Sequence, residues 1–377
     1  MTQTTLQNRP IKTKSVSHRA ESAVPRTSAR VTAQPRLRLT RLALLTLIFL
    51  AAFAVNLALG SVNIPLKDVI VTLLGGEPER ATWARIILMI RLPTALTATL
   101  AGAALAVSGL MMQTFFRNPL AGPFVIGISS GASLGVALVV LTGGATLLAT
   151  AGLGGTIGVA LAASVGAGVV MVLVLIVARR VESSMTLLII GVMIGFATSA
   201  VVSILMYFSR PEQITTYIRW GFGSFGGVSW QTMPVFSAVI AMGLLLALGT
   251  GKSLNALLLG ETYATSMGLN VTRARLAIIV SSALLAGAVT AFCGPIGFIG
   301  LAVPHLCRGL FNTSDHRVLL PACVLMGGLV ALIADIVAAM PGNMEFSLPL
   351  NAITALLGAP VVIWVILRGN SMGRSFG

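Results

Sequence analysis

Few side chains here have the types and spacing that chemistry requires, and each such set has a plainer explanation. Gly249-Thr250-Gly251-Lys252-Ser253 ends like a phosphate-binding loop, where backbone N–H groups and a lysine would cradle a nucleotide. The first glycine of that motif belongs at position 246, which is Leu246, and the segment leaves an apolar run instead of a strand. Gly221-Phe222-Gly223-Ser224-Phe225-Gly226 has GxGxxG spacing, yet no strand precedes it and no acidic ribose ligand follows. It reads as a flexible loop. His18, His305 and His316 are too few and too scattered to ligate zinc. Cys293, Cys307 and Cys323 show no CxxC spacing and read as small packing residues.

Asp335 is the one acidic residue inside an apolar run. A charge at mid-bilayer costs about 2.5–3.5 kcal/mol, which marks such a residue as a functional candidate. Its place near the end of the run also lets a helix-end partner solvate it. An ion-coupled secondary transporter, the rival reading, needs several intramembrane carboxylates or broken-helix cation sites. One carboxylate argues that energy comes from another subunit. No base, nucleophile or metal cluster assembles, so the chain is expected to be no enzyme and to bind no cofactor.

The elements that must position these residues are apolar helices. The 377-residue chain is 56% hydrophobic and 9% charged, with a mean hydropathy of +0.95. Runs near 42–60, 94–113, 124–142, 152–178, 185–208, 231–250, 274–293, 296–311, 318–340 and 350–367 approach the roughly 20 residues that cross a bilayer core. This is the pattern of an all-α polytopic membrane protein with about ten transmembrane helices; the short alternating segments of a transmembrane β-barrel are missing. The run at 296–311 is short and is interrupted by Pro304, so its ends must be buried in protein.

The net charge of +15 does not indicate nucleic acid, because the basic residues form no single face with interleaved aromatics. Nine of the 25 Lys and Arg lie between Arg9 and Arg41, in a polar stretch that predicts a disordered tail over 1–41; a second tail covers 369–377. With the basic tail in the cytoplasm, alternate loops place 19 basic residues inside and six outside, or ten and six without the tail. The positive-inside rule then puts both termini in the cytoplasm. Gly127-x3-Gly131-x3-Gly135, Gly154-x3-Gly158 and Gly191-x3-Gly195 place small residues on one helix face, where backbones can approach. Leu100-Ala101-Gly102-Ala103 and Leu285-Ala286-Gly287-Ala288 fall in the second and seventh runs, which point in opposite directions. They hint at a five-plus-five inverted repeat.

Residues Leu254 to Thr272 form the largest polar loop between two runs. Ala264 and Met267, three apart, share a helix face and are expected to bury against a partner. Gly268 can end that helix at C′, and Glu261 sits in its first turn, where the helix dipole favours negative charge. Outside, Arg85, Arg91, Arg210 and Arg219 oppose the positive-inside bias.

Several motifs together resemble the FecCD-type permease family. They are Gly294-Pro295-Ile296-Gly297-Phe298-Ile299-Gly300-Leu301 with Pro304-His305-Leu306-x-Arg308; Asp315-His316-Arg317; Arg91-Leu92-Pro93; Arg117-Asn118-Pro119-Leu120-Ala121; and Leu348-Pro349 with Thr354 to Pro360. The resemblance covers about residues 43–368. It implies the membrane subunit of a bacterial ABC importer for an iron-siderophore, haem or vitamin B12, embedded in the cell (inner) membrane. It implies as partners two ATP-binding subunits, which carry ATP and Mg, an external substrate-binding protein, and a second permease subunit, expected as an identical copy. By the same resemblance, Gly260, Glu261, Ala264, Met267 and Gly268 belong to a loop that couples to the ATPase. Arg85, Arg91, Arg210 and Arg219 are placed to meet acidic residues of the binding protein. The chain departs from the family pattern at Thr94, where many relatives carry a second arginine, and at Ser347, a position often acidic.

Overall fold

The computed structural model describes residues 33–60, 62–144, 150, 154–181, 183–339 and 348–368. Every regular element among them is helical. The helices are α1 (Ala33–Ala58), α2 (Leu66–Leu73), α3 (Ala81–Ile86), α4 (Leu92–Phe115), α5 (Ile128–Val140), α6 (Gly155–Arg180), α7 (Ser184–Tyr207), α8 (Pro211–Gly221), α9 (Met233–Gly249), α10 (Gly251–Leu257), α11 (Glu261–Ser266), α12 (Val271–Cys293), α13 (Ile299–Phe311), α14 (His316–Ala339) and α15 (Leu350–Arg368). A π-helical turn, Ile87–Arg91, joins α3 to α4 without a break, giving one 35-residue span from Ala81 to Phe115.

Each apolar run of the sequence coincides with a helix, but not each helix is long enough to cross alone. Six are, and α9 with α10 makes a seventh if their 52° bend is counted as one span. Ile128–Val140, Ile299–Phe311 and Leu350–Trp364 are shorter; at about 1.5 Å per residue the first two reach only about 20 Å. The chain is a multi-pass membrane protein built of long spans with shorter helices between them. Helix α1 starts at Ala33, ahead of the boundary drawn at 42. The rest of the tail (1–32), Ser347 and the C-terminal residues 369–377 lie outside the described residues.

Helices α4 and α12 form the centre. Their most apolar stretches are 83% and 72% buried, against 22% for α1 and α7. Small residues make this possible. A Cβ on Gly102 would stand 2.1 Å from the Gly327 carbonyl of α14, and one on Gly109 only 1.8 Å from the Gly300 carbonyl of α13. Only glycine lets these backbones touch, and dispersion over the tight seam replaces the hydrophobic drive that lipid cannot supply. Gly131 and Gly135 of α5 meet Gly166 and Ala162 of α6 in the same way. The two LAGA segments lie in α4 and α12, which pack on each other and share a buried Ser108–Ser282 hydroxyl contact of 2.6 Å.

Several loops are pinned where the sequence suggested freedom. The stretch Gly221–Gly226 is no flexible loop: the Ser224 N–H donates to Cys293 O (2.8 Å), the Asn351 N–H to Phe222 O (3.0 Å), and Phe225 is buried. Gly294 has φ +76° and faces Trp220 O, leaving no room for a Cβ. Asp335 accepts a hydrogen bond from the Asn56 amide (2.9 Å), so its carboxylate pins α14 to α1.

Candidate functional site

At one end of the bundle, α10 and α11 project between α9 and α12. The bend at Gly249–Gly251 ends α9 and starts α10, so the GKS sequence joins two helices and has no strand before it. Gly260, at φ +101°, turns the chain into α11, and the Arg117 guanidinium lies against it. Gly268 (φ +83°) ends α11 as C′: its N–H bonds to Thr265 O (2.9 Å) and the Leu269 N–H to Ala264 O (3.0 Å). Those two bonds make a Schellman cap.

Two locks fix this segment to the spans. Glu261 does sit in the first turn of α11, but it also pairs with Arg275 of α12 at 3.3 Å and accepts the Ser184 hydroxyl of α7 (2.8 Å). Arg275 is buried; it donates to Val181 O (2.6 Å) beyond α6 and its guanidinium lies 5.9 Å from the centre of the Phe115 ring. Arg275 is 7% and Glu261 38% exposed, so water screens the carboxylate side of the pair, and the buried guanidinium is the member that removal of Glu261 would leave uncompensated. The second lock joins α10 to α14. Asn255 Oδ1 accepts the His316 N–H (2.9 Å) and lies 2.7 Å from His316 Nδ1, while its amide donates to Asp315 (2.7 Å). His316 Nε2 lies 2.8 Å from the Thr114 hydroxyl of α4. The acceptor at Nδ1 places the imidazole proton there and leaves Nε2 to accept. Partial burial pushes the Asp315 carboxyl up. The Arg317 N–H, the Asn255 amide and the Arg317 charge outweigh this and hold it below the usual carboxylate range.

The expected coupling residues therefore divide. Ala264 is fully buried within the subunit and cannot meet a partner, because α11 packs that face on its own spans. Met267 is 52% exposed, and the residue that shares its face is Tyr263, 53% exposed, with Leu259 alongside at 61%. A spacing of four puts Tyr263 and Met267 one above the other. Reading Ala264 as the partner-facing residue chose the wrong side of the helix. Sequence reasoning missed Asn255 and gave Arg275 no role beyond its charge. An arginine just inside an apolar run, fourteen residues after a glutamate, was the available signal.

Of the family-motif residues, Arg117, Asn118, Pro119, His305 and Arg308 lie at the same end, while Gly294 and Pro295, beside Trp220 and Gly223, lie at the other. His305 Nε2 donates to Pro119 O (2.9 Å), and Arg308 donates to Gln113 Oε1 (2.6 Å), whose amide donates to Leu301 O (3.1 Å). Asn118 Oδ1 accepts the Leu120 N–H (2.9 Å), closing the tight turn that Arg117 enters with φ +47°. Pro304 lies buried inside α13, and Pro295 follows Gly294 in the turn that leads to it.

At the opposite end, the four arginines are not equivalent. Arg85, Arg210 and Arg219 are exposed. Arg91 is half-buried and its guanidinium bonds Leu57 O (2.8 Å) and Ala58 O (2.7 Å) at the end of α1 and Val62 O in the turn that follows. In this structure it clamps the end of α1. Thr94, one helical turn on, bonds back to Ile90 O (2.8 Å). Among the described residues no three His, Cys, Asp or Glu converge on a point that could hold a metal ion.

Comparison with known proteins agrees with this architecture. The profile of the FecCD transport family matches residues 46–368. The vitamin B12 import system permease protein BtuC of Klebsiella pneumoniae is 39% identical over 329 residues, 87% of this chain and 94% of that one. Its counterpart from Salmonella typhimurium is 40% identical over 279 residues, 74% and 82% of the two chains. A solved metal-chelate type ABC transporter in an inward-facing conformation superposes with a TM-score of 0.76 at 29% identity, covering 87% of this chain and 98% of that one. PsaBC from Streptococcus pneumoniae shares the fold, with a TM-score of 0.51 at 18% identity over 80% and 95% of the chains. With a matched profile over most of its length, relatives near 40% identity and a bundle of the same shape, the chain belongs to the FecCD transport family.

Proposed function

We propose that this chain is the membrane-spanning permease subunit of an ATP-driven bacterial importer for a metal chelate, with a corrinoid as the member of that class that its named relatives favour. The observation that carries the reading is the exposed Tyr263–Met267 face on a segment locked to the spans by Glu261–Arg275 and Asn255–His316. A free loop would absorb a push from a partner. This one passes it on, through Arg275 to α12 and through His316 to α14, the helices that pack on α4.

Two ATP-binding subunits engage this face, one per permease of a homodimer, and they alone hold ATP and Mg. ATP binding favours one of two arrangements of the permease pair and so opens the route to alternate sides. Both termini and the α10–α11 face lie in the cytoplasm, as the positive-inside bias supports. On the outer side Arg85, Arg210 and Arg219 steer the substrate-binding protein, adding to encounter rate and register more than to affinity. In vesicles reconstituted with the ATPase and binding protein, ATP should drive accumulation of labelled cobalamin. Uptake of a ferric siderophore or haem instead would move the cargo within the chelate class. Uptake driven by an ion gradient without the ATPase would overturn the importer reading.

A further inference from the structure

At the end of the bundle that carries the coupling segment, Arg38 of α1 and Arg317 of α14 border a slot of about 270 Å³. Its walls include Leu42, Phe311, Val318 and Pro321. On the other side of Arg317 a second cavity, of about 420 Å³, is bordered by Lys252, Leu248 and Leu320. The Arg41 guanidinium donates to Leu310 O (2.7 Å), tying α1 to the end of α13 beside the slot.

Three cations thus border two adjoining cavities with apolar walls, and among the described residues the one acidic group beside them is Asp315, next to Arg317. Among the described residues the one ion pair is Arg275–Glu261. The nearby Asp315 carboxylate already accepts the Asn255 amide and the Arg317 N–H. From the slot, an exposed stripe continues up one face of α1 from Leu39 through Ala43 to Leu50, at spacings of four and seven. Two guanidiniums from separate helices, each within the first two turns of a helix long and apolar enough to cross a membrane, match a phosphodiester anion. Apolar walls that run on into a lipid-facing helix match an acyl chain. Free phosphate has no use for those walls, and an acidic protein surface has no chain to lay on them.

We propose that the Arg38–Arg317 slot binds an anionic phospholipid, its headgroup phosphate between the two guanidiniums and an acyl chain along α1. The lipid bridges α1 and α14 next to the lock that joins α14 to the coupling segment. Basic pockets between spans on the cytoplasmic side are the kind of site that holds anionic lipid heads. The proposal uses the orientation given above only to name the leaflet; the binding test does not depend on it.

The test is lipid retention by the full-length chain, purified in non-ionic detergent and incubated with phosphatidylglycerol or with phosphatidylcholine of the same acyl chains. Native mass spectrometry reads the retained lipid. The wild type should keep phosphatidylglycerol about tenfold or more over phosphatidylcholine. Each arginine near the surface carries about 1 kcal/mol toward anionic lipid, or about fivefold, so Arg38→Gln with Arg317→Gln should lose about 25-fold. Arg38→Lys with Arg317→Lys should retain most binding, and Lys67→Gln with Arg85→Gln, at the other end, should match wild type. Equal retention of the two lipids, or a double glutamine variant that binds like wild type with an unchanged melt, overturns the proposal. So does full displacement by 10 mM inorganic phosphate, which would mark a phosphate site. Loss of ATPase co-purification in the glutamine variant with lipid retention intact would assign the patch to the protein partner instead.

Discussion

Single side chains decide what each end of this protein can do. The family resemblance marks Arg91 as a docking charge, yet two carbonyls at the end of α1 and that of Val62 in the next turn use its donors. Hydrogen bonds to a charged group are worth about 1.5–3 kcal/mol each. Arg91→Gln is therefore expected to cost about 3 kcal/mol and lower the melting temperature in detergent, leaving the salt dependence of binding-protein affinity unchanged. Arg85→Glu, on an exposed side chain, should do the reverse: an unchanged melt, and docking that weakens most at low salt, where screening is least. Asp315 gives a pH signature. Its folded-state pKa is lowered, so it stabilises the lock above the ordinary carboxylate value of about 3.9 and loses that contribution as pH falls through the lower folded value. The melting difference between wild type and Asp315→Asn should be equal at pH 5.5 and pH 8, and should shrink below pH 4.

Among the elements, α11 shows how a six-residue helix divides its faces. Ala264 faces inward at full burial while Tyr263 and Met267 face out. Tyr263→Asp with Met267→Asp should abolish co-purification with the ATPase while insertion and melting stay normal. Ala264→Asp should fail earlier, as poor expression or a lowered melt, because it buries an unpaired carboxylate. Co-purification that survives the first pair would move the contact face elsewhere. The α4 crossings make a second element-scale expectation. Gly109→Ala must move the α13 backbone, since its Cβ would stand 1.8 Å from Gly300 O. Overpacking of this kind costs about 1–3 kcal/mol; the check is the melt of Gly109→Ala beside that of Gly249→Ala, whose added Cβ meets nothing within 4 Å.

For the whole molecule, the spatial grouping of loops agrees with the charge alternation along the chain. Contacts join Arg41 to Leu310, Arg117 to Gly260, His305 to Pro119 and Asn255 to Asp315 at one end. At the other, Arg91 meets Leu57 and Trp230 donates to Leu88 O. Among the described residues, the first end holds Arg38, Arg41, Arg117, Lys252, Arg273, Arg275, Arg308 and Arg317 of the inside set, and the second holds Lys67, Arg80, Arg85, Arg91, Arg210 and Arg219. Thr265→Cys and Thr215→Cys, both on exposed threonines, should label with an impermeant thiol reagent from opposite sides of the membrane, Thr265→Cys only after the cytoplasmic face is opened. Labelling of both from one side would refute the orientation.

The sequence by itself determined the class, the family and the approximate place of each apolar helix among the described residues, because hydrophobic length is a local property that lipid imposes on each segment separately; it did not show that the second span reaches back to Ala81. It also placed Gly268 at C′ and Glu261 in the first turn, since caps and helix dipoles are written within a few residues. Only the tertiary structure decided which face of α11 is free, that Arg91 is spent on carbonyls 29 to 34 residues away, and that Asn255 and Arg275 tie the α10–α11 segment to the spans. Those outcomes depend on which partner a side chain meets across the fold. A six-residue helix with polar and small residues on most sides carries too little periodicity to say which side will be covered.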